Sequence, residues 1–315
     1  MSSGLDNLII CHLYFGGSPR RMSNAFKWFL IRLYDRYYDT VISYQGLLRE
    51  VSNFPYYSTK IAKRFNQERF LIDNNTGERY DFEEYELMDE SQCRVSMLID
   101  GSVTETCTVG TGANGNYHGS MRKDHAYIRQ RAIYSGYKKQ HGLSSLMISM
   151  PTGIHYMYGP CSMRQSDSAM VLMSEVDQFL RDIQTNCFPD GKLFAAYGDK
   201  LFRLSQCILR AHEGDVLNPL TQQQEMENSI LNGIRITIEH CFAVLCNHWR
   251  IMNQYSKFKL GQENSHAKEL LTVAYLLSNL CVTLQGSQVG GAGTFFCVPP
   301  SLEEYLEQGD EDNLE

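Results

Sequence analysis

Arg94-Val95-Ser96-Met97-Leu98-Ile99-Asp100 is a short apolar run that closes on a carboxylate and turns at Gly101. A run of this length ending in Asp-Gly reads as a buried strand entering a turn. Two further strands are expected over 142–150 and 153–158, hinged at Pro151-Thr152-Gly153 in the manner of a hairpin, and a fourth over Leu193-Phe194-Ala195-Ala196-Tyr197-Gly198-Asp199. A helix over about 168–184 falls between the third and fourth strands. The clearest helix spans about 225–249, where Leu231, Ile234, Ile238, Phe242, Leu245 and Trp249 recur at three- and four-residue spacings and define an apolar face. Glu239 lies beside that stripe, with Arg235 one turn earlier. Strands mixed with helices in this order predict an α/β fold.

Upstream the pattern is helical. From Ser23 to Tyr38, Ala25, Phe26, Phe29, Leu30, Leu33, Tyr34 and Tyr37 follow a helical period, with Ser23 as the expected cap behind the Gly16-Gly17-Ser18-Pro19 turn, and a second helix is expected over 41–65. Polar and acidic residues accumulate between Phe70 and Cys93. The expected organisation is therefore a helical segment over 1–75, an α/β domain over 90–285 and an extension with an acidic tail over 286–315.

The composition permits a sizeable core: 315 residues, 43% hydrophobic, with only 8 prolines. Ten scattered cysteines form no CxxC pair, so reduced thiols are expected in place of a disulfide framework or a zinc cluster. The longest apolar stretch, 270–284, is interrupted by polar residues and shorter than the roughly eighteen residues that a bilayer span needs, so a buried helix is expected and no membrane partner. A net charge of −7 argues against a surface coated in phosphate contacts, but two local basic patches exist. One interleaves Arg20, Arg21, Lys27, Arg32 and Arg36 with aromatic residues. The other gathers Arg122, Lys123, Arg129, Arg131, Lys138 and Lys139. Solvated faces of ordinary helices and loops would produce the same runs.

An aspartate ending a first strand, another ending a later strand and a glutamate on a following helix can meet at one sheet edge, where ligands of α/β folds gather. Asp100, Asp199 and Glu239 have that arrangement. Three carboxylates held together suit hard divalent cations, and two such ions about 3.5–4 Å apart can activate an attacking oxygen and stabilise a leaving one. The same residues also have a plain structural reading. Asp100 could cap a turn, and Glu239 could pair with Arg235 or Arg250.

Several segments, in order, resemble the PIF/Harbinger-type DDE transposases and the genes derived from them. Phe15-Gly-Gly-Ser-Pro-Arg-Arg-Met-Ser23 resembles the turn into the last helix of that family's helix-turn-helix. Met97-Leu-Ile-Asp-Gly-Ser102 resembles its first catalytic strand, and Tyr134-Ser-Gly-Tyr-Lys-Lys-Gln-His-Gly-Leu143 its basic approach to the second. Tyr158-Gly-Pro-Cys-Ser-Met-Arg-Gln-Ser-Asp-Ser168, Tyr197-Gly-Asp199, Arg235-Ile-Thr-Ile-Glu-His-Cys-Phe242 and Phe295-Phe-Cys-Val-Pro-Pro-Ser-Leu-Glu-Glu-Tyr305 match later segments.

The resemblance implies a ribonuclease H-like mixed sheet flanked by helices and preceded by an all-helical, partial helix-turn-helix-like DNA-binding region. It implies Asp100, Asp199 and Glu239 as catalytic ligands of Mg2+ or Mn2+. The expected activity is a nuclear endonuclease and strand transferase on double-stranded DNA, with a separate DNA-binding partner protein and a homo-oligomer as further implications. The chain opens partway into the family's helical domain, and the 104–133 stretch is longer than the family's link. Both departures admit a second expectation: a truncated or domesticated copy that binds DNA or protein without catalysis.

Asp167 is an accessory candidate, either orienting a metal ligand or capping the helix that starts at Ser168. Lys138, Lys139 and His141 are candidate phosphate contacts ahead of the second strand, as are Arg20, Arg21 and Lys27 on the first helix. His118, Asp124 and His125 have no recognised ligand spacing. Trp249 reads as a packing residue at the end of its helix.

Overall fold

The computed structural model describes residues 14, 16–68, 88–106, 131–249, 252, 266–287 and 295–307. Most of the 104–133 stretch, including His118, Arg122, Lys123, Asp124, His125 and Arg129, lies outside the described residues, as do Arg250 and the acidic tail.

Helix α1 (Pro19–Tyr37) begins four residues before Ser23, the cap expected from the sequence: the Ser18 hydroxyl caps it instead and Pro19 occupies its first turn. The single helix expected over 41–65 is broken. A π-helical turn (Tyr38–Ile42) and two 3-10 turns (Tyr44–Arg49 and Val51–Asn53) precede α2 (Phe54–Glu68). Ser43 is extended, and Gly46 lies so close under the Tyr156 ring that an added Cβ would come within 2.8 Å of it. Packing on the sheet overrides helical propensity here.

The sheet contains β1 (Val95–Glu105), β2 (Tyr134–Ser135), β3 (Gln140–Ser149), β4 (His155–Ser162), β5 (Ala195–Tyr197) and β6 (Ile208–Leu209). The turn expected at Asp100-Gly101 is absent: β1 runs on to Glu105 because its ladder with β3 continues from Asp100 opposite Met147 to Glu105 opposite Gly142. β3 pairs antiparallel with β1 on one side and with β4 and β2 on the other, while β5 and β6 continue parallel from β1. The β3–β4 hairpin turns at the predicted Pro151-Thr152-Gly153, where Met150 N–H donates to Ile154 O at 2.9 Å and Gly153 adopts φ 89°. The helix expected over 168–184 is two helices, α3 (Asp167–Ser174) and α4 (Val176–Cys187), separated by the left-handed Glu175 (φ 56°). α5 (Gln222–His248) begins on a capping box of Thr221 and Gln224. α6 (Ala267–Gln285) and the short α7 (Leu302–Glu307) complete the described elements.

One hydrophobic core joins residues of the 41–65 segment (Ile42, Leu47, Phe54, Ile61), the sheet (Met97, Ile99, Met147, Met157) and α5 and α6 (Ile234, Ile238, Tyr275). α5 and α6 are long and apolar enough to cross a bilayer, but α6 buries most of its length within this core. Trp249 is the packing residue expected: its indole N–H donates to Ser278 Oγ at 2.7 Å and ties the end of α5 to α6. All eight described cysteines are free thiols. The mixed sheet with flanking helices is the α/β architecture expected from the sequence.

Candidate active site

The parallel pairing of β1 and β5 brings the two strand aspartates together. Leu98 is registered with Tyr197, so two residues further along the same direction Asp100 and Asp199 come side by side. Gly198 permits this approach, because a Cβ there would lie 2.8 Å from Ile99 Cγ2 and 2.6 Å from the Phe202 ring.

α5 crosses the same edge. Tyr197 donates its hydroxyl to Asn232 Oδ1 at 3.2 Å, Arg235 Nη1 reaches Asp100 Oδ2 at 3.0 Å, and Arg235 Nη2 reaches Glu239 Oε1 at 3.0 Å. Residues 232, 235 and 239 fall on one helical face, so the stripe that buries Ile234 and Ile238 also aims this polar row at the sheet edge. One guanidinium thus bridges two of the three predicted carboxylates. The i,i+4 pair between Arg235 and Glu239 that pattern alone allowed is present, together with a link to β1 that pattern could not show.

Asp167 is the fourth carboxylate. The capping role considered for it belongs to Ser166, whose hydroxyl accepts from Ala169 N–H at 3.2 Å. Asp167 is instead the first residue of α3, packed onto Gly101 so closely that a Cβ there would lie 2.0 Å from its Oδ1. The residue after Asp100 therefore has to be small.

Burial dominates the electrostatics. It pushes the Asp100 carboxyl up to about 6, against the Gly101 N–H hydrogen bond and Arg235, while Asp167 and Asp199 push it further up. Asp167 is also raised, first by burial, with Lys138 pulling it down and Asp199 pushing it up. Asp199 accepts a hydrogen bond from Lys200 N–H at 2.6 Å, and Glu239 is the most open member, its side chain 51% exposed.

The remaining candidates divide. Lys138 and Lys139 are exposed in the turn between β2 and β3, and Lys138 is near enough to Asp167 to lower its affinity for a proton. His141, half-buried at the start of β3, lies with its ring centroid 4.9 Å from that of Tyr134, the two planes tilted by 52°. Arg20 and Arg21 are exposed on α1, Lys27 is half-buried, and Phe26, Trp28 and Phe29 are exposed among them.

Among the described residues, no group of three or more His, Cys, Asp or Glu side chains is assembled tightly enough to hold a metal ion. The donor set nonetheless fits a hard divalent cation in its chemistry. It consists of carboxylate oxygens alone, with Asp100 partly buried and repelled by its aspartate neighbours, Glu239 open, and a cationic group already drawn between these two.

Neither the curated proteins nor the solved structures contain a match to this chain. The family model described as DDE superfamily endonuclease matches residues 118–279, a span that contains Asp167, Asp199, Arg235 and Glu239 and begins downstream of Asp100. With just over half of its length so matched, the chain belongs to the DDE superfamily endonucleases.

Proposed function

We propose that this protein is a metal-dependent DNA endonuclease and strand transferase of the PIF/Harbinger type, acting in the nucleus on double-stranded DNA. The family acts on DNA and generally uses divalent metals. The observation that supports the finer reading is that Arg235 links Asp100 on β1 to Glu239 on α5, while the β1–β5 register sets Asp199 beside Asp100 and Asp167 packs against Gly101.

In this reading Asp100, Asp199 and Glu239 hold the cations. Divalent cations held there would supply activation of water or a DNA 3′-hydroxyl and stabilisation of the leaving oxygen. Asp100 supplies a fixed, buried oxygen from the strand; Glu239, more exposed on α5, supplies an oxygen that can adjust. Asp167, packed against Gly101 from α3, adds a further negative charge near Asp100. Lys138 and Lys139 stand where they can neutralise the phosphate backbone, which positions DNA without reading its sequence.

Glu239→Gln tests the proposal. The change keeps size and helix position, and the half-exposed pair with Arg235 is worth at most about 1 kcal/mol. An amide is a poor ligand for a hard dication. The expected result is loss of Mg2+- or Mn2+-dependent nicking of a labelled duplex, with duplex affinity and thermal midpoint nearly unchanged. Normal nicking by the variant would remove Glu239 from the site. No nicking by the unaltered chain would favour the domesticated binder.

A further inference from the structure

Arg235 does more than pair with its helical neighbour. Its guanidinium, 17% exposed, divides its two terminal nitrogens between Asp100 on β1 and Glu239 on α5, each at 3.0 Å. Its Nε is buried and has no hydrogen-bond partner. A buried donor without an acceptor is costly, and a guanidinium forks naturally around two oxygens of a phosphate. Each oxygen that Arg235 holds is one that a divalent cation would need.

We infer that Arg235 is a phosphate-binding residue of this site that also serves as its internal counter-ion. Without divalent cations it holds Asp100 and Glu239 together and offsets their repulsion. When cations take the carboxylates, the released guanidinium turns its fork, including Nε, to the phosphodiester being cut. The inference rests on the metal-dependent nuclease reading above. It makes the arginine a competitor of the metal in the free protein and a partner of the substrate in the loaded one. A merely structural ion pair would do neither.

The opposed roles give opposed effects. Removing a competing cation should tighten Mn2+ binding to the DNA-free protein, by about tenfold for Arg235→Ala. The same variant should lose nicking at saturating Mn2+ by about a hundredfold or more, the scale seen when a donor to developing charge is deleted. Arg235→Lys keeps a charge but cannot span both carboxylates or grip a phosphate in two places. It should also bind Mn2+ more tightly than the parent, and should recover part of the nicking.

The experiment uses the full chain. Free Mn2+ is measured by electron paramagnetic resonance during titration of the parent, Arg235→Ala and Arg235→Lys. The kcat and KM for nicking a short duplex are then measured, with the thermal midpoint of each preparation. Should the alanine variant fail to fold, the lysine variant carries both readouts. Unchanged Mn2+ affinity in a folded variant would overturn the counter-ion role. Unchanged nicking at saturating Mn2+ would overturn the phosphate role. A parent that neither binds Mn2+ nor nicks would refute the nuclease reading itself, a result distinct from either.

Discussion

Asp100 shows how a single buried carboxyl ties stability to pH. Its proton is held up to about 6 in the folded chain, chiefly by burial, so between about pH 4 and 6 the folded state keeps a proton that the unfolded state has lost. Stability in divalent-free buffer should therefore fall as pH rises through that window, by about 3 kcal/mol for this group alone. Asp100→Asn removes the burden, because burial outweighs the Arg235 contact. Thermal unfolding at intervals from pH 4 to 8 should show a flatter profile and a higher midpoint near pH 8 in the variant. An identical slope in both proteins would show that Asp100 does not titrate in this way. Gly101→Ala addresses its neighbour. A methyl group 2.0 Å from Asp167 Oδ1 must drive that carboxylate aside. Nicking should drop severalfold while duplex binding holds, whereas unchanged nicking would make Asp167 a bystander.

At the scale of elements, α5 carries the site and its N-terminal cap carries part of α5. Thr221 Oγ1 accepts from Gln224 N–H at 3.2 Å while Gln224 Oε1 accepts from Thr221 N–H at 3.0 Å. Thr221→Ala should cost about 1 kcal/mol, read from denaturant unfolding. Nicking per folded molecule should persist, since Arg235 and Glu239 lie several turns downstream on a helix held by its own buried stripe. Activity lost out of proportion to stability would mean that the cap steers the site. The elements that departed from expectation did so for local reasons. Glu175 takes a left-handed conformation between α3 and α4, and Gly46 must slip under Tyr156. Neither demand is written in a hydrophobic period.

For the whole molecule the question is how an acidic protein meets an acidic polymer. The net charge of −7 leaves DNA binding to local cations, of which Arg20 and Arg21 are exposed on α1 and Lys27 half-buried. Replacing all three by alanine should lower the slope of log affinity against log salt by about 2 to 3, near 0.9 for each lost phosphate contact. Filter binding or anisotropy over a salt series measures it. An unchanged slope would move the DNA contact away from α1, toward Lys138 and Lys139 beside the carboxylates.

Sequence alone determined the apolar strand that carries Asp100, though not its continuation to Glu105, the hairpin at Pro151-Thr152-Gly153, the long helix bearing Glu239 and the three carboxylates as candidates, because each follows from a local period, a turn signal or a motif. It could not show that 41–65 breaks into turns, that Ser166 and not Asp167 caps α3, or that Arg235 bridges Asp100 and Glu239. Those outcomes depend on contacts between residues far apart in the chain: a ring above a glycine, a carboxylate against Gly101, a guanidinium reaching from helix to strand. The tertiary structure decided them, because only the packing of α5 and α3 on the sheet sets which oxygens and nitrogens come within bonding distance.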